Sequence, residues 1–514
     1  MPSIETRLHP RKHRALHATQ PFQPSQTIHT FHPLILHPSL SHLTSVCTHC
    51  LRPGSPRACS RCRAAYYCNA SCQRAAWAAV HSYECEALQQ HKLGSRRGAD
   101  LPAPVRALLQ TLLKKEIEDG VTALDGHSSE RRKGKCWSDL EMMALAACAF
   151  AGKQGESDVH KAVELLCKIQ TNAFHRWDAD LGQVGVFLEP TLAMANHSCI
   201  PNAVVQFIGR KAVLMAERPI EAGDEIEISY TDYTMPLSAR REALKQYSFE
   251  CACARCRGDL NVYQVRAAYP NTCSVIDVSS NKHAAVTDKH TQDVAARCTA
   301  EPAQLPLSLP ARYAALKAQY QLARALIDAN LWAVSPVPQL LAETAIYFAE
   351  RDNFPYALFV AALIATWCDP FRYAAPFHPV RLKNLFMMAK LLANTAENTV
   401  VAAAPAAKGG LDQKLQQTLL DMDQVSLCQM LLIMVLKMCP GELANWDLCV
   451  SARDMLADIG KLPGRDKELS LINGWAAEEE AEVSRMFFEY AVVKQVGILA
   501  DLGRDVMKSM DPSE

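Results

Sequence analysis

The sequence carries no surplus charge. Its 54 Lys and Arg balance 54 Asp and Glu over 514 residues, which argues against a protein whose main task is gripping nucleic-acid phosphates, since that task needs a basic excess. Long apolar runs are missing too. The best of them, Ala357 to Cys368, is 12 residues long, short of the roughly 18 that a membrane span needs, and it reads as a buried core helix. Acids are scarce at the start: residues 1–46 hold one, Glu5, against four Arg and Lys and seven of the 17 His. Such a composition mimics a transit peptide, but no apolar h-region follows the start, so no secretory signal is expected. These absences leave a soluble intracellular chain, expected in the nucleus, the cytoplasm or both, with no membrane partner and no direct nucleic-acid binding.

What is present can build several cores. Hydrophobic residues make up 49% of the chain, and its length corresponds to about three domains. A chain this large needs no disulfide staples, yet it has 20 cysteines, seven of them within residues 47–85. There they form the pairs Cys47-x-x-Cys50, Cys59-x-x-Cys62, Cys68-x-x-x-Cys72 and His81-x-x-x-Cys85. Short spacings of this kind favour metal over disulfide. Eight thiolate and imidazole ligands make two closed tetrahedral zinc sites, and with no position left for water both are structural. The segment is too short for an apolar core of its own, so metal supplies its folding energy, on the order of 10 kcal/mol per site.

The rest of the chain divides by its periodicity. Residues 1–46, including Leu34-Ile35-Leu36, fit short strands and turns. Residues 86–175 look helical: Val105, Leu108, Leu109 and Leu112 recur at helical spacing, as do Val163, Leu166 and Ile169, with a polar loop from Gly126 to Lys135. Between 176 and 256, Val204 to Ile208, Ala212 to Ala216 and Glu225 to Tyr230 read as strands broken by turns at Gly209 and Gly223. Residues 257–309 carry no clear pattern. From 310 to 514 helix follows helix, marked by Tyr313, Leu316, Tyr320, Ala323 and Ile327 and again by Leu382, Leu385, Phe386 and Ala389, with an Ala/Pro/Gly loop from Val401 to Gly410. No clean 34-residue period appears in this array.

A second constellation lies in the strand-rich zone. Asn196-His197-Ser198-Cys199-Ile200-Pro201-Asn202 leads into the first strand, Tyr230 ends another, and Tyr247-Ser248-Phe249-Glu250-Cys251-Ala252-Cys253-Ala254-Arg255-Cys256 closes the zone. Cys251, Cys253 and Cys256 are three thiolates short of a fourth, and Cys199 is the nearest cysteine upstream. If it completes the set, the metal pins Asn196–Asn202 beside Tyr247 and Phe249. The Glu225/Glu227 pair reads as a solvated strand face, not an acid/base pair.

Tyr67-Cys68, Cys72-Gln73, Trp77, His81 and Cys85 resemble a MYND zinc finger. That resemblance implies a cross-brace, with Cys47, Cys50, Cys68 and Cys72 on one ion and Cys59, Cys62, His81 and Cys85 on the other, and a module that grips proline-rich peptides. Together with the second constellation, the chain resembles the SET- and MYND-domain protein lysine methyltransferases. The fold implied is α+β: a split SET β-fold (1–46 and 176–256), interrupted by the finger (47–85) and a helical insert (86–175), then a connecting region (257–309) and an all-α, TPR-like domain (310–514). The activity implied is S-adenosylmethionine-dependent N-methylation of a protein with an exposed lysine, histone or not, with three structural zinc ions.

In that resemblance Asn196 and His197 contact the cofactor, Phe249 stacks on adenine, Asn172 (in Asn172-Ala173-Phe174) adds a polar contact, and Tyr230 and Tyr247 frame the lysine channel. The family's G-x-G turn aligns here with Lys12-His13-Arg14-Ala15, so that His13 and Ala15 stand at glycine positions, where side chains hinder the backbone conformation and close approach that glycine allows. The competing expectation is therefore an inactive SET–MYND adaptor that binds partner peptides.

Overall fold

The computed structural model describes residues 2–10, 12–94, 100–134, 136–178, 182–270, 277–278, 293–295, 308–401, 410–478 and 481–510. Most of the connecting region and of the loop expected from Val401 to Gly410, along with Lys135 of the Gly126 loop, lies outside these residues. The chain forms two compact units, the first comprising Met1–Thr231 and Arg241–Cys251, the second Asp232–Arg240 and Ala252–Glu514.

The first unit is built on small sheets. β1 (Ile4–His9) and β2 (His13–Ala18) form an antiparallel hairpin. β3 (Thr27–Phe31) and β4 (Ile35–Pro38) follow, then the finger strands β5 (Arg57–Ala58) and β6 (Tyr66–Tyr67). The chain returns to sheet at β7 (Phe174–Asp178), β8 (Gly182–Leu188), β9 (Asn196–His197), β10 (Ala203–Ile208), β11 (Lys211–Ala216) and β12 (Glu227–Ile228). The sheets run in the orders β10-β11-β3, β4-β8-β7 and β12-β9, the last pair parallel. Strands from before residue 46 thus pair with strands from after 174, as expected for one fold split by an insertion.

Their inward faces carry one core of Leu16, Ile28, Phe31, Leu36, Phe187, Ala212 and Leu214, all buried. Burial of each large apolar side chain contributes about 1.5–3 kcal/mol. Gly185 of β8 faces β4 so closely that a Cβ would sit 2.2 Å from the His37 carbonyl oxygen, which only glycine tolerates. The strand expected over Glu225 to Tyr230 is shorter than the alternation indicated. Glu225 forms only an isolated bridge to His17, the Ile226 N–H donates to the Leu16 carbonyl, and continuous pairing is confined to β12.

The insert is helical where its periodicity indicated. Helix Ala103–Leu113 buries Val105, Leu108, Leu109 and Leu112, and Glu156–Asn172 buries Val163, Leu166 and Ile169. They share a core with the helix Trp137–Phe150 and the finger cysteines.

The second unit is helical over most of its described length. Leu309–Asp328 packs on Val337–Glu350, that helix on Phe354–Leu363, and Pro379–Val401 on Gln424–Lys437. Leu316, Tyr320, Ala323 and Ile327 are buried on the first of these, and Leu382, Leu385, Phe386 and Ala389 on Pro379–Val401. The apolar segment begun at Ala357 extends further than its run indicated. Phe354–Arg372 is a 19-residue helix long and apolar enough to cross a membrane by composition, and most of its apolar stretch is buried inside the protein. That burial makes it the core helix of its unit. Its partner is the last helix, Lys494–Lys508, whose Gly503 lets the Phe359 carbonyl approach within 2.3 Å of where a Cβ would stand.

Candidate functional site

The metal sites assemble from short turns. Cys47, Cys50, Cys68 and Cys72 present four sulfurs within 4.8 Å of one another, and so do the ligand atoms of Cys59, Cys62, His81 and Cys85. The Cys50–Cys68 and Cys68–Cys72 sulfurs are 3.9 and 3.4 Å apart. His81 Nε2 lies 3.6 Å from the Cys62 sulfur and 3.5 Å from that of Cys59. Ligands held about 2.0–2.3 Å from one tetrahedral zinc are separated by distances of this size. The pairing is the cross-brace that the MYND resemblance implied.

A carboxylate orients the histidine of the second set. His81 Nδ1 is 3.0 Å from Glu84, whose oxygens also accept from Arg106 at 2.6 and 3.1 Å and from Gln110 at 2.8 Å. Such a partner fixes the tautomer and ring orientation of a metal-bound imidazole. Neither Glu84 nor Arg106 was singled out in the sequence, although Glu84 stands three residues after His81 on the same helical face.

Cys199, Cys251, Cys253 and Cys256 also bring four sulfurs within 4.8 Å, so the fourth thiolate that the C-x-C-x-x-C run lacked is Cys199. Each of the three sets supplies the full complement of a structural zinc.

Around the Asn196 segment the side chains converge. The ring centroids of His197 and Tyr230 are 5.4 Å apart, those of Tyr230 and Tyr247 4.8 Å, and those of His197 and Phe249 5.9 Å. Phe249 meets Tyr230 edge-on at 88° and is 38% exposed, leaving part of its ring open. The Tyr230 hydroxyl donates to the Ala195 carbonyl at 2.8 Å, and its backbone N–H donates to His197 Nδ1 at 3.0 Å. Burial pushes the Tyr230 phenol above the usual tyrosine range, with Tyr247 and Glu225 acting in the same direction. Burial also raises Tyr247, against the pull of Arg131. Both phenols therefore stay protonated at neutral pH.

Asn196 and Asn172 take different places. The Asn196 amide nitrogen donates to the Arg14 carbonyl at 2.9 Å and to Glu225 at 2.8 Å. The Asn172 amide donates to the carbonyls of Asp125 and Lys168 at 2.7 and 2.8 Å, so among the described residues its hydrogen bonds stay within the insert. The two are linked indirectly, because the Asp125 carboxylate pairs with Arg14 at 3.3 Å.

At the positions aligned with the glycines the structure bears on the backbone conformation. His13 does adopt the left-handed backbone, φ 64°, at a cost of roughly 1–2 kcal/mol for a non-glycine residue. Ala15 is fully buried in β2. The side chains at the glycine positions thus do not prevent the turn. Glu225 and Glu227 are not simply solvated: both accept from the Lys12 ammonium, at 2.8–2.9 Å. Burial pulls the Lys12 ammonium down, but the bonds and charges of the two carboxylates outweigh it and raise its pKa.

The MYND finger family model matches residues 47–85. The SET domain and MYND-type zinc finger protein 6 of Schizosaccharomyces pombe is 31% identical over 226 residues, 43% of this chain and 44% of that protein. The chain carries a MYND finger and is similar to SET–MYND proteins. Histone-lysine N-methyltransferase ASHR1 of Arabidopsis thaliana is 30% identical over 48% of the chain and 53% of its own length. Histone-lysine N-methyltransferase SMYD3 of Homo sapiens is 32% identical over 48% and 60%. The chain thus spans between 44% and 60% of the length of these relatives. A solved SET domain, that of LSMT bound to lysine and AdoHcy, covers 95% of the chain at 11% identity with a TM-score of 0.23, too loose a superposition to carry an argument.

Proposed function

We propose that this chain transfers a methyl group from S-adenosylmethionine to the side-chain nitrogen of a lysine exposed on a protein substrate. The observation that carries the reading is Tyr230. It is a protonated phenol tied to the Ala195 carbonyl and flanked by Tyr247, with His197 and Phe249 on adjoining sides. Relatives named as lysine methyltransferases support it.

The residues fit the cofactor chemically. Phe249 offers a partly open aromatic ring for a purine, and Asn196, with both amide hydrogens spent, offers an acceptor oxygen to an ammonium or hydroxyl. S-adenosylmethionine, when bound, supplies a methyl group on a positively charged sulfur. The chain's own task is to position a neutral amine in line with that methyl. From a lysine pKa near 10.4, deprotonation at pH 7 costs roughly 4.6 kcal/mol, so the pocket must not stabilise the ammonium. Two protonated phenols meet that need, since they add no negative charge. The Tyr230 hydroxyl hydrogen is committed to Ala195, which leaves the oxygen as an acceptor for an amine N–H and orients the nitrogen lone pair away from it.

Calorimetric titration of the zinc-loaded protein with S-adenosylmethionine tests this. One site per chain is the expected result, followed by label transfer from radiolabelled cofactor to a lysine peptide array. A fully zinc-loaded protein that takes up no cofactor is the adaptor instead. In that case the finger, with Trp77 42% exposed, remains as the surface for proline-rich peptides.

A further inference from the structure

Three groups meet on Glu225, a residue with no role in the sequence reading. Its carboxylate accepts from Lys12 through both oxygens, at 2.9 and 2.8 Å, and from the Asn196 amide at 2.8 Å. Its own carbonyl accepts from the Asn202 amide at 2.9 Å. Asn202 in turn accepts from the Glu227 N–H at 2.8 Å, and Glu227 is the register partner of Asn196 across the β12–β9 pair. Glu225 is therefore braced by its neighbours, and its charge is balanced by Lys12.

This bracing determines which way the Asn196 amide faces. An amide has a donor end and an acceptor end, and a carboxylate and a carbonyl oxygen can only accept. Asn196 stands against one of each, Glu225 and the Arg14 carbonyl. Both hydrogens of its nitrogen are consumed on that side, and the oxygen is turned the other way. Remove Glu225 and one of the two constraints is gone.

We propose that Glu225 is a positioning residue: it holds the Asn196 amide with its oxygen presented to the cofactor, matched to the α-ammonium of the amino-acid end, and Lys12 keeps Glu225 in place. The inference rests on the methyltransferase reading above. It assigns Glu225 no contact with substrate or cofactor. It also accounts for the turn at residues 12–15, where a lysine anchored to the opposite strand holds a backbone that has no glycine.

The test compares two ligands that share adenosine and sulfur but differ in the amino-acid end, S-adenosylmethionine and 5′-methylthioadenosine. In Glu225→Ala, affinity for the first should fall about tenfold, the size of one lost hydrogen bond to a charged group, while affinity for the second changes less than about twofold. Glu225→Gln, which can still offer an oxygen to Asn196, should recover the ratio to within about threefold of the wild type. Without any ligand, the Asn196 side-chain amide protons should exchange more slowly with solvent in the wild type than in Glu225→Ala. Equal weakening of both ligands, or an unchanged ratio in the alanine variant, overturns the proposal and leaves the methyltransferase reading standing. A wild type that binds neither ligand ends both. Should the alanine variant lose its zinc, the glutamine variant decides, and loss of the ratio there with three zincs bound counts against Glu225.

Discussion

His197 Nε2 lies 3.2 Å from the sulfur of Cys199. The opposite nitrogen of the same ring, Nδ1, accepts the backbone N–H of Tyr230. A nitrogen that accepts an N–H carries no hydrogen, so in the neutral ring the hydrogen sits on Nε2 and points at the sulfur. One imidazole thereby joins a metal-ligand thiolate to the backbone of the tyrosine at the centre of the candidate site. The metal set made with Cys199 and the aromatic cluster are coupled through a side chain and not merely close in sequence.

Replacing His197 with asparagine keeps an acceptor for the Tyr230 N–H and removes the donor to Cys199. Affinity for the zinc of the Cys199 set should fall about tenfold, the lower end of what an outer partner contributes, with the two finger sites unchanged. Chelator competition that resolves three successive zinc losses checks this. An unchanged third step would show that the ring does not support the thiolate.

Tyr230→Phe removes one hydroxyl and nothing else. Its oxygen is the acceptor proposed for the lysine amine, so methyl transfer should drop by about 10²-fold, with zinc content at three and cofactor affinity within about twofold. The Ala195 carbonyl loses its donor, at a cost of about 1 kcal/mol in stability. A variant with full activity on a verified peptide removes the hydroxyl from the mechanism.

The parts of this architecture that rest on spacing were legible. Cysteine pairs two or three residues apart have few uses, and the strands at 203–208 and 211–216 and the helices at 105–112 and 163–169 announced themselves by alternation or by a 3.6-residue stripe. What escaped was polar and long-range. Glu225 looked like any acid in a strand face, because only its fold partners, Lys12 at a separation of 213 residues and Asn196 at 29, give it a task. The Asn172 amide nitrogen donates to two carbonyls of the insert, partners that its neighbours in sequence do not announce. The left-handed backbone of His13 depends on a hairpin closed by the Lys12 N–H donating to His9 Nδ1, a contact that the spacing of residues 12–15 does not show.

Glu84 and Arg106 form a buried ion pair with His81 and Gln110 completing the shell. Arg106→Met leaves a carboxylate 1% exposed without its main counter-charge and should destabilise the first unit by about 3–5 kcal/mol. Glu84→Gln strands the guanidinium and should act similarly. The double variant should lose clearly less than the two single losses together, since neither buried charge then lacks a partner. Denaturant unfolding of the four proteins gives the coupling directly, and additivity would mean the pair is not an energetic unit.

His378 sets a pH dependence in the second unit. Burial, with Arg381 and Arg372 nearby, pulls its pKa from 6.5 down to about 3, and the neutral ring accepts the Val380 N–H through Nδ1 at 3.2 Å. The unfolded chain takes up a proton at this residue below pH 6.5 while the folded chain does not, so unfolding binds protons and stability rises with pH across this window. The contribution is complete above pH 6.5 and is lost as pH falls toward 3. His378→Asn keeps an oxygen for the Val380 N–H and cannot titrate. Between pH 6.5 and 5 the wild type should therefore lose about 1.5 kcal/mol more stability than the variant. Zinc release and carboxylate titration act on both proteins and cancel in the comparison. Parallel pH profiles would show that the folded protein accommodates the charged ring, and that the two arginines are better screened than their burial beside His378 implies.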